Sequence, residues 1–130
     1  MMENYITYVK MAGAAICGAV TFIWGGMDTV FAVLLCLMGI DYVTGILSAV
    51  RSKTLSSEVG FYGLLKKIGM LLIVAVGHFI GVISGVPDVR SLVIGFYIAN
   101  EGISILENAG RLGVPLPEKL VSVLKQLDEL

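Results

Sequence analysis

DTVFAVLLCLMGIDYVTGILSAV, residues 28–50, is the stretch whose reading decides the fold. Val30 to Val50 is 21 residues long and carries one charge, Asp41. At a rise of about 1.5 Å per residue such a helix reaches roughly 30 Å, the thickness of a bilayer's hydrocarbon core. A carboxylate at that depth costs about 2.5–3.5 kcal/mol on insertion scales. Asp41, Thr44, Gly45, Ser48 and Ser52 fall on one side at helical spacing, while Phe, Val, Leu and Ile fill the other. The helix therefore has a lipid face and a narrow polar seam.

The rest of the composition agrees. Of 130 residues, 57% are hydrophobic and 15% charged, whereas soluble domains carry about 25% charged residues. This is a small membrane protein whose first partner is the lipid bilayer. A net charge of −1 argues against a basic nucleic-acid binder. Cys17 and Cys36 lie in apolar stretches and read as small packing residues rather than a disulfide or a metal pair. The first ten residues, MMENYITYVK, balance Lys10 against Glu3, and apolar segments continue to the end. Nothing there suggests a cleaved signal peptide.

Upstream of the central stretch, Met11 to Met27 is 17 uncharged residues, with Gly13, Cys17, Thr21 and Gly25 recurring every four. That face is smooth enough for a neighbouring helix to approach closely. Trp24 suits a membrane–water interface. Gly25-Gly26-Met27-Asp28 reads as a tight turn, with Asp28 capping the next helix. Downstream, Arg51-Ser52-Lys53 closes the span, and Thr54 to Lys67 is a polar connection in which Ser56 or Ser57 caps a new helix. Ile68 to Pro87 is the cleanest spanning candidate; Gly77, Gly81 and Gly85 form a double GxxxG packing pattern, and His78 is its one ionisable residue. A short turn centred on Pro87 follows. Ser91 to Gly110 is a fourth, more polar candidate: Asn100, Glu101, Ser104, Glu107 and Asn108 occupy about a third of its circumference. A solvated surface helix is the alternative reading. Gly113 to Pro117 ends that helix, and Pro117 suits the first turn of a tail helix with Leu120, Val123, Leu127 and Leu130 on one side.

The expected fold is all-α. Residues 1–112 form a polytopic membrane domain of four, alternatively three, transmembrane helices. Residues 113–130 form a cytoplasmic tail with a short amphipathic helix. With four spans and both termini inside, Lys10, Arg51, Lys53, Lys66, Lys67, Arg111, Lys119 and Lys125 are cytoplasmic and only Arg90 is outside, a strong positive-inside signal. Asp41, His78 and Glu101 then lie about 16–18 Å from a membrane surface, at one level near the midplane. At an offset of 60 residues, Asp28, Asp41, Thr44 and Arg51 align with Asp88, Glu101, Ser104 and Arg111, and Gly25 with Gly85. This hints at a duplicated helical hairpin, although two unrelated hairpins of similar length produce the same match.

No phosphate-binding loop, metal-ligand cluster or nucleophile-with-base arrangement occurs, so neither an enzyme nor a cofactor is expected. What remains is a set of ionisable groups inside a bilayer, whose default meaning is a pathway, a switch or a subunit contact. The expected polar face, for a lesion lining or for assembly, comprises Asp41, Thr44, Ser48, Asn100, Glu101, Ser104, Glu107 and Asn108. The expected helix-packing positions are Gly13, Gly45, Gly77, Gly81 and Gly85.

These residues carry a resemblance. Asp41-x-x-Thr44-Gly45, then Ser56-Ser57, Gly60, Gly63-Leu64 and Lys66-Lys67, are followed by Asn100-Glu101-x-x-Ser104-Ile105-x-Glu107-Asn108 and by Gly113-Val114-Pro115-Leu116-Pro117. In order and spacing, over residues 30 to 127, this resembles the toxin secretion/phage lysis holin family, which includes holins beside clostridial large-toxin genes. The resemblance implies a protein that accumulates harmlessly in the bacterial cytoplasmic membrane. It then assembles as a homo-oligomer into lesions that dissipate the membrane potential and release an endolysin or a toxin. It also implies that alternative starts at Met1, Met2 and Met11 can yield a shorter or longer self-derived inhibitor. Two other readings of the residues stay open. One is a small oligomeric proton-linked transporter or ion channel with Asp41, Glu101 and His78 as a relay. The other is a structural subunit whose acids pair with a partner.

Overall fold

Helix ends set the architecture. In the computed structural model, which describes residues 1–86 and 88–129, α1 (Met2–Trp24) stops at Gly25. Gly25 is left-handed at φ 85°, a conformation glycine adopts without steric cost. Its N–H donates to the Thr21 carbonyl at 2.9 Å. Three residues later the Asp28 carboxylate accepts the Phe31 N–H at 3.0 Å and opens α2 (Thr29–Arg51), as the sequence leads one to expect. Ser56 does the same for α3 (Ser57–Ser84), accepting the Val59 N–H at 3.1 Å. α4 (Val89–Arg111) follows, and α5 (Glu118–Asp128) begins immediately after Pro117. The expected turn centre Pro87 and the tail's Leu130 lie outside the described residues, as does the side chain of Leu127.

The first four helices are each long and apolar enough to cross a membrane, and a short C-terminal helix completes an all-helical fold. The fourth candidate is thus long and apolar enough to be a span. α3 is the outlier. It has 28 residues and begins well before Ile68, so it measures about 42 Å, longer than a hydrocarbon core. Lys66 and Lys67, expected at its membrane-surface end, instead lie ten residues inside it.

α2 packs most extensively on α4, α3 lies against both, and α5 contacts α4. Phe31, Leu34 and Met38 of α2 meet Met70 and Val74 of α3 and Ile94 of α4 in one buried cluster. The contact line between α2 and α4 repeats every seven residues: buried Leu34, part-buried Asp41 and buried Ser48 on one helix, buried Ile94, Glu101 and Asn108 on the other. An apolar layer thus lies at one end of the seam and a polar layer at the other. α1 has no buried residue. It leans on α3 through the Phe22–Phe79 ring pair, 5.7 Å between centroids, and through Trp24, whose Nε1–H donates to the Leu71 carbonyl at 2.9 Å.

Candidate functional site

The seven-residue spacing brings Asp41 of α2 and Glu101 of α4 to the same seam. Two carboxylates facing each other in an apolar bundle repel and are poorly solvated. Lys67 of α3 lies between them. Its Nζ donates to Asp41 Oδ2 and to Glu101 Oε2, both at 2.7 Å. The side chains are 13%, 14% and 3% exposed for Lys67, Asp41 and Glu101, so the triad is largely withdrawn from solvent. Three formal charges leave a net −1, held by three helices.

Asn108 completes the layer. Its side-chain amide donates to Asp41 Oδ1 at 3.1 Å, to the Asp41 carbonyl at 3.3 Å and to Thr44 Oγ1 at 3.1 Å. Gly45 faces Asn108: a Cβ there would lie 3.6 Å from Asn108 Nδ2, an ordinary contact distance. A cavity of about 290 Å³ opens beside the triad, with Asp41, Lys67, Ser104 and Asn108 on its inner wall and Tyr62 and Lys66 farther out. The cluster therefore holds charge inside the helical bundle, and it has open space next to it. Among the described residues, no group of His, Cys, Asp and Glu could hold a metal ion.

Of the expected polar face, Asp41, Thr44, Glu101, Ser104 and Asn108 are brought together around this layer, and Ser48 is buried one turn farther along the seam. Asn100 and Glu107 stand apart: Glu107 is exposed, and neither has a side-chain partner in the cluster. They lie 100–120° around α4 from Glu101, too far to share its contact line. Of the expected packing glycines, Gly77 is buried against Val93 and Gly81 lies against Val86 and Val89. Gly85 is the left-handed cap of α3, and Gly13 has no neighbour within 4 Å.

Two placements correct the sequence reading. Lys67 is a largely buried partner of both acids within the bundle rather than an exposed residue at a helix end. The signal for it is in the chain: Gly63, Lys67, Met70, Val74, Gly77 and Gly81 alternate at spacings of four and three, the inner stripe of α3. His78 does not share a level with Asp41 and Glu101. It lies at the α1–α2 turn, where a Cβ on Gly25 would come within 2.8 Å of its Nδ1.

That turn holds a second polar cluster. Arg90, in the first turn of α4, donates to Asp28 Oδ2 at 2.7 Å, to Asp28 Oδ1 at 3.1 Å and to the Gly26 carbonyl at 3.1 Å, and its Nε–H donates to the Trp24 carbonyl. Its guanidinium also sits 5.8 Å from the centre of the Phe31 ring. The hydrogen bonds from Arg90 hold the Asp28 carboxyl below the usual carboxylate range, against a smaller opposing effect of burial. At the opposite end Arg51 Nη1 donates to the Leu112 carbonyl at 3.1 Å, tying α2 to the end of α4.

Comparison with known proteins gives the arrangement a family. The sequence profile of the Bacteriophage holin family matches residues 18–129. An uncharacterised 14.9 kDa protein in the nagH 3′ region of Clostridium perfringens is 41% identical over 98% of each chain. An uncharacterised protein of Listeria monocytogenes is 39% identical over 98% of this chain and 89% of its own. A Bacillus phage phi105 protein named "Probable holin" is 34% identical over 73% of this chain and 71% of its own. No solved structure matches the chain significantly. The chain belongs to the bacteriophage holin family.

Proposed function

We propose that this chain is a holin in action as well as in family: a multi-pass protein of the bacterial cytoplasmic membrane that oligomerises into a lesion. The lesion depolarises the cell and lets an endolysin or a toxin leave the cytoplasm. The observation that carries the reading is the Asp41–Lys67–Glu101 triad. Family membership supplies the context, and the triad supplies a physical reason for two states. Within one chain Lys67 offsets one of the two carboxylate charges and bonds both acids, and the outside of the bundle is apolar, which suits quiet accumulation in lipid. If the helices part around water, the same groups become a hydrated wall, and the desolvation that opposed them is relieved. The membrane cost of the acids thus favours opening, and the shared lysine opposes it.

Both termini are placed in the cytoplasm. With Lys66 and Lys67 both inside α3, six basic residues remain on that side against Arg90 on the other. The tail helix α5 then lies at the cytoplasmic end, beside α4. The test is expression of the chain alone in bacteria, with membrane potential and a large, folded cytoplasmic reporter enzyme followed together. Abrupt depolarisation with reporter release is expected. Depolarisation with full retention of the reporter would turn the reading to an ion-conducting channel, and neither effect with the protein in the membrane would overturn both.

A further inference from the structure

We infer that α1 of one copy docks on the open face of α2 of a second copy, along Thr29, Val33, Cys36 and Ile40, in the way α3 packs on α4 within one chain. The inference deepens the reading above, since it rests on copies meeting in the membrane, and it names the surface by which they do so.

The chain repeats its architecture at an offset of 60 residues. α2 and α4 have identical lengths and boundaries exactly 60 apart, Thr29–Arg51 and Val89–Arg111. α1 and α3 end 60 apart on left-handed glycines, Gly25 and Gly85. The match extends to burial: Leu34 and Ile94 are both fully buried, and so, nearly, are Ser48 and Asn108. The fold is two helical hairpins of one design, α1–α2 and α3–α4.

The hairpins are used differently. In the second, α3 lies close against α4. A Cβ on Gly77 would come 3.0 Å from Val93 Cγ2 and 3.4 Å from Val93 Cβ, and one on Gly81 would come 3.8 Å from Val89 Cβ. Sixty residues earlier these positions are Cys17, Val33, Thr21 and Thr29. The small stripe of α1 is thus the image of the stripe by which α3 packs. Yet, apart from the Trp24–Phe31 ring pair at the turn, α1 does not pack on α2 among the described residues. Phe22 and Trp24 hold it on α3 instead. Both halves of the missing contact are therefore open. Cys17, Thr21, Thr29 and Cys36 are exposed, and Val33 and Ile40 are 41% and 48% exposed. Cys36 and Ile40 also border a shallow apolar groove on α2.

The occupant follows from the same template. It must be a helix with small residues every four positions, running antiparallel to α2. The chain's own α1 is tied to α3, whereas α1 of a second copy in the same membrane orientation runs antiparallel to α2 by construction. The open face is also continuous with an existing interface, because Val33 adjoins Leu34 of the α2–α4 seam. Each copy offers one α1 and one α2 face, so copies can close as a pair or continue as a ring.

The native cysteine tests this in the full-length chain in membranes. In a Cys36→Ala background, Val33→Cys is combined with native Cys17. The template pair has a Cβ–Cβ distance of 3.4 Å, close to what a disulfide needs. Leu47→Cys, 49% exposed on the same helix, is the control about 21 Å away. A second pair, Thr21→Cys with Thr29→Cys in a Cys17→Ala, Cys36→Ala background, guards against one variant that misfolds. Mild oxidation should give a reducible covalent dimer from either pair, about tenfold above the Leu47 control given the distances. Equal cross-linking at Leu47, no cross-link from either pair, or a disulfide closed within one chain would each overturn the inference, the last two leaving lipid or the chain's own α1 on that face. Reporter release is measured in the same cells. Release without the dimer removes this interface and leaves the holin reading standing, whereas the dimer without release or depolarisation does the reverse.

Discussion

Replacing Lys67 with Met removes the one cation between two carboxylates and keeps the length of the side chain. In the intact bundle Lys67 Nζ is 2.7 Å from both Asp41 and Glu101, and Glu101 is only 3% exposed. Breaking a buried ion pair by deleting one partner costs about 3–5 kcal/mol. Here the two stranded acids can take up protons, which limits the loss to the lower end, about 3 kcal/mol, or about a hundredfold in the equilibrium between packed and separated helices. The chain has one tryptophan, and Trp24 is packed where α1 meets α3 and α2. Its fluorescence therefore follows disassembly as the detergent-solubilised protein is titrated with a denaturing detergent. Lys67→Met should unfold at a markedly lower denaturant fraction. The neutral triple variant Lys67→Met, Asp41→Asn, Glu101→Gln should recover most of the loss, because no uncompensated charge remains. In cells the single variant should depolarise the membrane earlier or fail to accumulate. An unfolding midpoint equal to that of the unaltered protein would refute the reasoning, as would a triple variant no better than the single one.

Asp41→Asn removes one of the two acids and leaves Lys67 paired with Glu101, and it should shift the time of lysis; unchanged timing in a synchronised culture would count against a role for the triad. Asn108→Ala deletes the amide N–H donors to Asp41 and Thr44 and should cost about 1–3 kcal/mol in the same fluorescence titration. Gly77→Leu must push Val93 aside and should cost about 1–3 kcal/mol by overpacking, whereas Gly13→Leu, with nothing within 4 Å, should leave the monomeric protein unchanged in detergent. At the α1–α2 turn, the Asp28 carboxyl is held below the usual carboxylate range. Its ionised form is therefore favoured by folding, and its contribution is present at neutral pH and fades as pH falls below about 4. Asp28→Asn, which still caps α2, should flatten that acid limb, and Asp28→Ala should cost about 1 kcal/mol more through the lost cap.

The helices were legible because bilayer crossing demands long apolar runs and their ends carry strong local chemistry. Asp28, Ser56 and Gly25 each act on a neighbour within a few residues, which is the range over which sequence is read directly, whereas Gly85 read as a packing position and is the cap of α3. The polar seam of α2 was legible for a similar reason, since Asp41, Thr44 and Ser48 differ sharply from the residues around them. Lys67 was harder. A lysine beside another lysine at the edge of an apolar run suits a membrane surface, and only its phase relative to Gly63, Met70 and Val74 places it inside. Asn100 and Glu107 show the opposite limit: polar residues on one broad arc of a helix need not share its contact line. His78 and Arg90 meet the α1–α2 turn through contacts between distant parts of the chain, which no local pattern announces. The 60-residue repeat was visible as a handful of matched residues. Its weight comes from matched burial at Leu34 and Ile94 and at Ser48 and Asn108.

The central claim is that the polar layer around Asp41 is hidden in the quiet protein and faces water in the lesion. Thr44→Cys in a chain lacking Cys17 and Cys36 reports on it directly, through labelling by a membrane-impermeant thiol reagent before and after the membrane potential collapses. Val43→Cys, on the exposed apolar side of α2, serves as the lipid-facing control. Protection of Thr44→Cys before collapse and rapid labelling after it, with Val43→Cys unlabelled throughout, is the predicted result. Labelling of Thr44→Cys at the same rate in both states, or no labelling while a large reporter escapes, would contradict the account.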